Sequence, residues 1–150
     1  MSDYINTIIS IALAFLLTVG TVLVFSNAAE YNTAKIMILN ETNNFLDKVT
    51  DAKELTTEDI DNLSLAVNSY GVTCNVNVKR LVPITQLTPL DDINILYISQ
   101  PLEDINQLNA SEVIKVNVEE IGVSPLRSAI YKFSGIENRK IDFSVPAVVR

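Results

Sequence analysis

Between Tyr4 and Ala29 no residue carries a charge. Inside that stretch Ile8 to Phe25 reads IISIALAFLLTVGTVLVF, with only Ser10, Thr18, Gly20 and Thr21 as polar or small interruptions. A helix crosses about 30 Å of hydrocarbon with roughly 20 residues. The uncharged stretch is therefore long enough to span a bilayer with some tilt. Residues 1–29 read as a transmembrane anchor, and the lipid bilayer is the first expected partner. The competing reading is a cleaved secretory signal. Against it, Met1-Ser2-Asp3-Tyr4 has no Lys or Arg, and the run is longer than an ordinary signal core. For it, Ser26-Asn27-Ala28 ends in a small residue. By the positive-inside rule, Lys35, Lys48 and Lys53 on the C-terminal side against none before the run point to an outside N-terminus, on very few charges.

Ser10, Ala14 and Thr18 recur every four residues, a ladder of small side chains along which a second membrane helix can approach closely. Gly20 adds a further small position, and these four are the candidate helix-packing residues. The bland alternative is that any membrane helix is rich in small residues.

Past the apolar run the pattern turns amphipathic without a break. No Gly or Pro lies between Thr21 and Tyr70. Ala34, Ile38, Phe45, Val49 and Ala52 fall at spacings of four, seven, four and three, which is one helical face. Lys35, Glu41, Asp47 and Lys48 lie mostly off it. The spacing predicts one helix from about residue 4 to about 52, roughly 70 Å long. Residues 30–54 are its amphipathic continuation, with Ala34, Ile38, Phe45 and Val49 expected to seat a globular head. The alternative is an anchor and a separate first helix, broken near Ser26-Asn27.

Residues 55–150 read as a small α+β head. Thr56 with Asp59 three residues on is a capping-box start. Ile60, Leu63, Val67 and Tyr70 then repeat at helical spacing, and Gly71 is placed to stop the helix. Val72, Cys74, Val76 and Val78 alternate with polar residues, as in a strand with one wet face. Pro83 and Pro89 are expected to bracket a loop. Ile93 to Ser99 reads as a shorter strand, and Pro101 as the start of a short helix carrying Leu102, Ile105 and Leu108 on one side. Val113 to Val118 is a second alternating strand with Ile114, Val116 and Val118 inward. Pro125 to Phe133 reads as a short helix or loop ended by Gly135. Lys140 to Val149 is a last strand, confined by Pro146 to a sheet edge. The expected fold class is α+β: a long N-terminal helix, transmembrane then amphipathic, packed on a small and mainly antiparallel sheet.

The residues offer little for catalysis. There is no His, and the formal charge is −7 with a pI of about 4.5. The tightest basic groups, Lys79-Arg80 and Arg139-Lys140, read as ordinary surface and do not make a phosphate-binding patch, so no nucleic-acid partner is expected. Asp91-Asp92, Glu103-Asp104 and Glu119-Glu120 are adjacent pairs, which point apart in strands and helices, and read as solvated. Glu58-Asp59-Ile60-Asp61-Asn62 lies in a helix and lacks the Gly of a calcium loop. Gly20, Gly71, Gly122 and Gly135 are scattered and form no phosphate cradle. Cys74 admits no intrachain disulfide and reads as a small buried apolar residue. Sequons at Asn40, Asn62 and Asn109 matter only in a glycosylating compartment. Neither catalytic nor metal-binding residues are expected, nor a cofactor, and the chain does not read as an enzyme.

A long apolar helix running into an amphipathic one and a β-rich head resembles the layout of type IV pilins and TadE-like pseudopilins. The segment NFLDKVTDAKELTTEDIDNL at Asn44 to Leu63 is similar to a TadE-like stretch in which a Phe-Val-Asp-x-Val helix end precedes an Ile-Thr start and a second helix. Phe45, Asp47, Val49, Leu55 and Thr56 match it. Tyr70 to Arg80 resembles the family's Thr-Gly…Tyr-Asp-Val strand, and Glu112 to Val118 is similar to its later strand. The chain departs from typical prepilins in having no basic leader and Ile5 at the position of the assembly Glu. An uncleaved minor pseudopilin or an already trimmed sequence accounts for both.

The resemblance implies a structural subunit of a type IV or Tad-type filament or secretion apparatus, with an extracytoplasmic C-terminal head and a place at the cell surface once assembled. Its implied partners are copies of itself or sister pilins, a secretion ATPase and membrane platform proteins. The alternative is a single-pass tether holding an extracytoplasmic binding or sensing module.

Overall fold

The computed structural model describes residues 2–87, 93–135 and 140–150. Helix α1 (Ser2–Ala52) runs unbroken through what the sequence reads as anchor and amphipathic continuation. Threonines, poor helix formers, are accommodated in the same way at Thr7, Thr18, Thr21, Thr33, Thr42 and Thr50. Each donates its hydroxyl to the carbonyl four residues earlier, at 2.7 to 2.9 Å. The helix ends where Lys53 adopts a left-handed conformation with φ 53°, the usual geometry for stopping a helix, here without a glycine.

The chain divides into two compact units. One joins Met1–Thr33 to Ser124–Asn138, which carries α3 (Pro125–Ser134). Ser124 caps α3 by accepting from Arg127 N–H at 3.2 Å, and Gly135 closes it at φ 67°.

The other unit is Ala34–Val123 with Arg139–Arg150. After α1 come β1 (Glu54–Thr56), α2 (Thr57–Asn68), β2 (Cys74–Leu87), β3 (Ile93–Gln100), β4 (Ile105–Gln107), β5 (Val113–Glu120) and β6 (Asp142–Val148). The main sheet has the order β3-β2-β5-β6, every pair antiparallel, and β1 pairs with β4 in a second, two-stranded sheet. The distal part of the long apolar helix packs on this sheet, an α+β arrangement as expected. Ala34, Ile38, Phe45 and Val49 are all buried, joined by Thr42, Leu46 and Thr50 one step round the helix. Ala52 is exposed. Leu55, Leu63, Val67, Cys74, Val78 and fully buried Ile114, Val116 and Val118 complete the core with Ile141 and Val149. Each fully buried aliphatic side chain contributes about 1.5–3 kcal/mol.

The capping box at Thr56 is present. Asp59 N–H donates to Thr56 Oγ1 at 3.1 Å, and Thr56 N–H to Asp59 Oδ2 at 3.3 Å. Two side-chain links reach α1 from α2 and the turn after it, Lys48 Nζ to Asp59 Oδ1 at 2.8 Å and the Tyr70 hydroxyl to Glu41 Oε1 at 3.0 Å. The helix closes at Ser69, and Gly71 takes the positive φ of 77° just beyond. Asn68 then spans the turn into β2, accepting from Cys74 N–H at 2.8 Å and donating to the Cys74 carbonyl at 3.2 Å.

Two expectations fail here. Pro83 lies within β2, paired with Tyr97, and does not open a loop. The bond from Ile121 N–H to the Thr73 carbonyl (3.0 Å) directs odd-numbered β2 residues toward β5. The β5 pairing stops at Leu81, so the nitrogen of Pro83 faces an open edge where no ladder bond is lost. Pro89, the other expected bracket, lies outside the described residues. Pro101 starts no helix. Ile105–Gln107 is instead β4, paired with β1, with Ile105 exposed and Leu108 buried. Buried Asn106 sets this turn. Its Nδ2 donates to the Glu103 and Leu55 carbonyls at 2.6 and 3.2 Å, and its Oδ1 accepts from Glu103 N–H at 2.9 Å.

Thr56→Ala removes the hydroxyl that caps α2 and is expected to cost about 1 kcal/mol. A lowered urea midpoint with unchanged m-value, followed by circular dichroism, checks it.

Candidate functional site

The apolar stretch of α1 is long and apolar enough to cross a membrane, and none of its most apolar window is buried within the chain. On this bare segment Ser10, Ala14 and Thr18 are exposed along one line. The Thr18 hydroxyl is spent on the Ala14 carbonyl at 2.8 Å. At Thr18 the ladder therefore presents a small surface whose hydroxyl is already satisfied, which suits an apolar surrounding. Gly20 does not share that line. Two residues on from Thr18, it lies about 200° round the helix. It belongs instead with Val24, Asn27, Ala28 and Tyr31, a half-buried stripe in the unit whose other helix is α3. A Cβ placed on Gly20 meets nothing within 4 Å. Arg127 of α3 is buried and sits 3.7 Å from the centroid of the Tyr31 ring and 5.9 Å from that of Tyr131, a desolvated cation–π contact.

The four residues expected to seat the head, Ala34, Ile38, Phe45 and Val49, are all buried on the distal part of the helix. Thr42 and Thr50 were missed because a hydroxyl reads as polar in a periodicity count. Each donates that hydroxyl to its own helix, at 2.8 Å to Ile38 O and Leu46 O, and so packs as an apolar residue.

Three charged groups stand in places that sequence reasoning did not assign. Arg80 continues the inward alternation of Cys74, Val76 and Val78 and is not ordinary surface. Its Nε and Nη2 donate to Glu112 Oε2 and Oε1, each at 2.8 Å, with side-chain exposures of 14% and 3%. Asn109 Nδ2 adds a third bond to Glu112 Oε1 at 3.0 Å. The Arg80 hydrogen bond holds the Glu112 carboxyl below the usual carboxylate range despite burial, and Asn109 helps. Glu120 is 1% exposed, not solvated, and its Oε2 accepts from Ile141 N–H at 2.9 Å. Glu119, Glu103 and Asp104 are exposed as expected, while Asp91-Asp92 and Arg139 lie outside the described residues. No signal in the sequence separates Arg80 from Lys79 except the parity of the strand.

Cys74 is buried, and burial, with Glu120 as a lesser influence, pushes its thiol up to about 11. It is protonated at neutral pH and a poor nucleophile. Among the described residues no group of three His, Cys, Asp or Glu side chains is placed to hold a metal ion. A shallow groove beside Arg80 is lined by Gln100, Pro101, Glu103, Ile105, Asn106 and Gln107. Arg80 is already committed to Glu112 and Asn106 to the backbone, which leaves this groove the exposed Glu103 carboxylate beside amide and apolar surface. No protein family, curated protein or solved structure matches the chain, so its surfaces themselves carry the functional reading.

Glu112→Gln leaves the Arg80 guanidinium without its counter-charge and is expected to destabilise the fold by about 3 kcal/mol. Replacing both, as Arg80→Met with Glu112→Leu, is expected to restore most of that loss. The pH dependence has a definite sign. The unfolded chain protonates Glu112 near its ordinary value of about 4.3, before the folded one does. The pair's contribution is therefore present above that value and lost as pH falls through the lower folded value. Urea titrations across this range check both points, and the double variant is expected to show a shallower acid loss.

Proposed function

We propose that this chain is a pilin-like structural subunit, major or minor, of a type IV or Tad-type filament or secretion apparatus, assembling through its apolar N-terminal helix. One observation supports the reading above others. A single uninterrupted helix carries a bare apolar stretch and then a face buried in a packed α+β unit. A simple tether needs an apolar span but not a helix that continues without a break into the folded unit.

In this reading the helix rests in lipid as a single-pass anchor and moves into a bundle of like helices during assembly. Lipid and helix side chains are equally apolar, so close packing drives that step. Ser10, Ala14 and Thr18 provide the approach, and Thr18 and Thr21 carry no unsatisfied hydroxyl into either setting. Gly20 serves a second contact line on another side of the helix. The pilin-like resemblance puts the head on the extracytoplasmic side, against the few lysines that follow the apolar run. Copies of the chain or sister pilins, an assembly ATPase and membrane platform proteins are the partners this reading calls for. No reaction and no cofactor belong to it.

Gentle shearing of native cells, pelleting and immunoblotting test the proposal. Recovery of the chain in high-mass material free of membrane markers supports a packing helix. Retention in the membrane while sister pilins are released rejects it in favour of a tethered binding or sensing module. Ser10→Leu or Ala14→Leu is expected to abolish recovery in the sheared fraction without lowering the amount of chain in the membrane. A tether would tolerate both, and scrambling the apolar order as well.

A further inference from the structure

The main sheet has two edges, and they are not alike. At β6, Val149 N–H donates to the Glu112 carbonyl at 2.9 Å and Glu120 N–H to the Ile141 carbonyl at 2.8 Å. Antiparallel ladders alternate, so odd-numbered residues of β6 bond to β5 and even-numbered ones face outward. Pro146 is among the outward ones, and so is charged Asp142. The β6 edge thus lacks a donor at its middle and carries a charge at its start, the ordinary means of refusing another strand.

At β3 neither device is present. The same alternation puts even-numbered residues of β2 toward β3, and the register Val82↔Ile98 and Ile84↔Leu96 puts the even residues of β3 into that ladder. The N–H and C=O groups of Ile95, Tyr97 and Ser99 then face outward. Ile93–Gln100 contains no Pro and no charge. The side chains from Asn94 to Gln100 are bare on both faces, with Ile95 57%, Leu96 46%, Tyr97 49% and Ile98 51% exposed, and Ile84 beside Leu96 is 45% exposed.

We propose that β3 is a strand-pairing edge occupied by β3 of a second copy of this chain, antiparallel across a twofold axis. The fitting strand must be uncharged, apolar on both faces and open along one edge. Within this chain β3 meets these conditions and β6, with Pro146 facing out, does not. A twofold axis sets the strand against its own reverse, so a charge near its centre would lie beside its own copy. In a chain of net charge −7 the absence of charge from β3 permits self-pairing. Ile and Tyr opposite one another are favourable cross-strand neighbours. The contact is isologous and closes at two copies, which separates it from an open-ended strand stack. It does not rest on the pilin-like reading, since a tethered module would pair in the same way.

The test uses the full-length chain purified in detergent micelles. Single substitutions Ile95→Cys, Leu96→Cys, Tyr97→Cys and Ile98→Cys are oxidised mildly, with the wild type, which holds only buried Cys74, as the control. Twofold strand pairing sets one residue opposite itself, so a cross-linked dimer is expected to peak at one position and fall away at its neighbours. Ile95→Pro deletes an outward donor that the β2 ladder does not use, and is expected to weaken the dimer at least tenfold in sedimentation while the head's circular dichroism is retained. Tyr97→Lys is expected to act in the same direction by setting like charges together. Ser10→Leu is expected to leave the β3 cross-link in place, which distinguishes this contact from helix association. A monomeric wild type, no cross-link at any of the four positions, or a dimer indifferent to both Ile95→Pro and Tyr97→Lys overturns the proposal.

Discussion

The larger unit depends on one burial: the face of α1 from Ala34 to Thr50 on the antiparallel sheet. Ile38, Thr42, Leu46 and Val49 are all at most 2% exposed, and opposite them the sheet offers Ile114, Val116 and Val118, the inward side of β5. A four-stranded sheet with one apolar face is not stable bare, and a helix with one apolar stripe is not stable alone in water. Each supplies the surface that the other must hide. The helix is fixed further by the Lys48–Asp59 contact with α2 and the Glu41–Tyr70 contact with the turn after it, although Lys48 is too exposed for its ion pair to contribute much.

Around this core the polar groups that enter are paired. Arg80 occupies an inward position at the end of the apolar alternation of β2 and meets Glu112 in a two-pronged contact. Asn106 holds the turn at Glu103 that leads into β4 and reaches across to the Leu55 carbonyl of β1. Glu120 caps the approach of Ile141. Among the described residues no buried side-chain nitrogen or oxygen lacks a partner. Such groups add specificity to the arrangement, because an alternative register would strand a charge or an amide in the core.

The same alternation that builds the core also decides what is left outside it. Cys74, Val76 and Val78 lie under α1 and α2, but the inward line of β2 continues through Val82 to Ile84, past the extent of β5. There the β2–β3 ribbon is apolar on both sides. The bare segment of α1 is a second uncovered apolar surface, of a different kind: it suits lipid or other helices, whereas the ribbon offers backbone donors and acceptors along its edge.

Much of this architecture was legible in local pattern. The unbroken α1, the Thr56–Asp59 box, the alternation of β5 and the edge position of Pro146 all follow from spacing and from residue chemistry within a few positions. The buried face at Ala34, Ile38, Phe45 and Val49 follows from the same spacing. The strand at Ile105–Gln107 was not legible, because its partner is β1, some fifty residues earlier, and Leu102, Ile105 and Leu108 happen to mimic a helical stripe. Pro83 misled because whether a missing N–H matters depends on which neighbour strand is present, and β5 ends before it. The pairing of Arg80 with Glu112 and the burial of Glu120 were equally hidden. By itself the sequence determined the periodic elements and their apolar faces, since those depend on contacts a few residues apart. Only the tertiary structure decided which charges were buried together and which strand edge was left open, since those depend on residues that sequence distance does not connect.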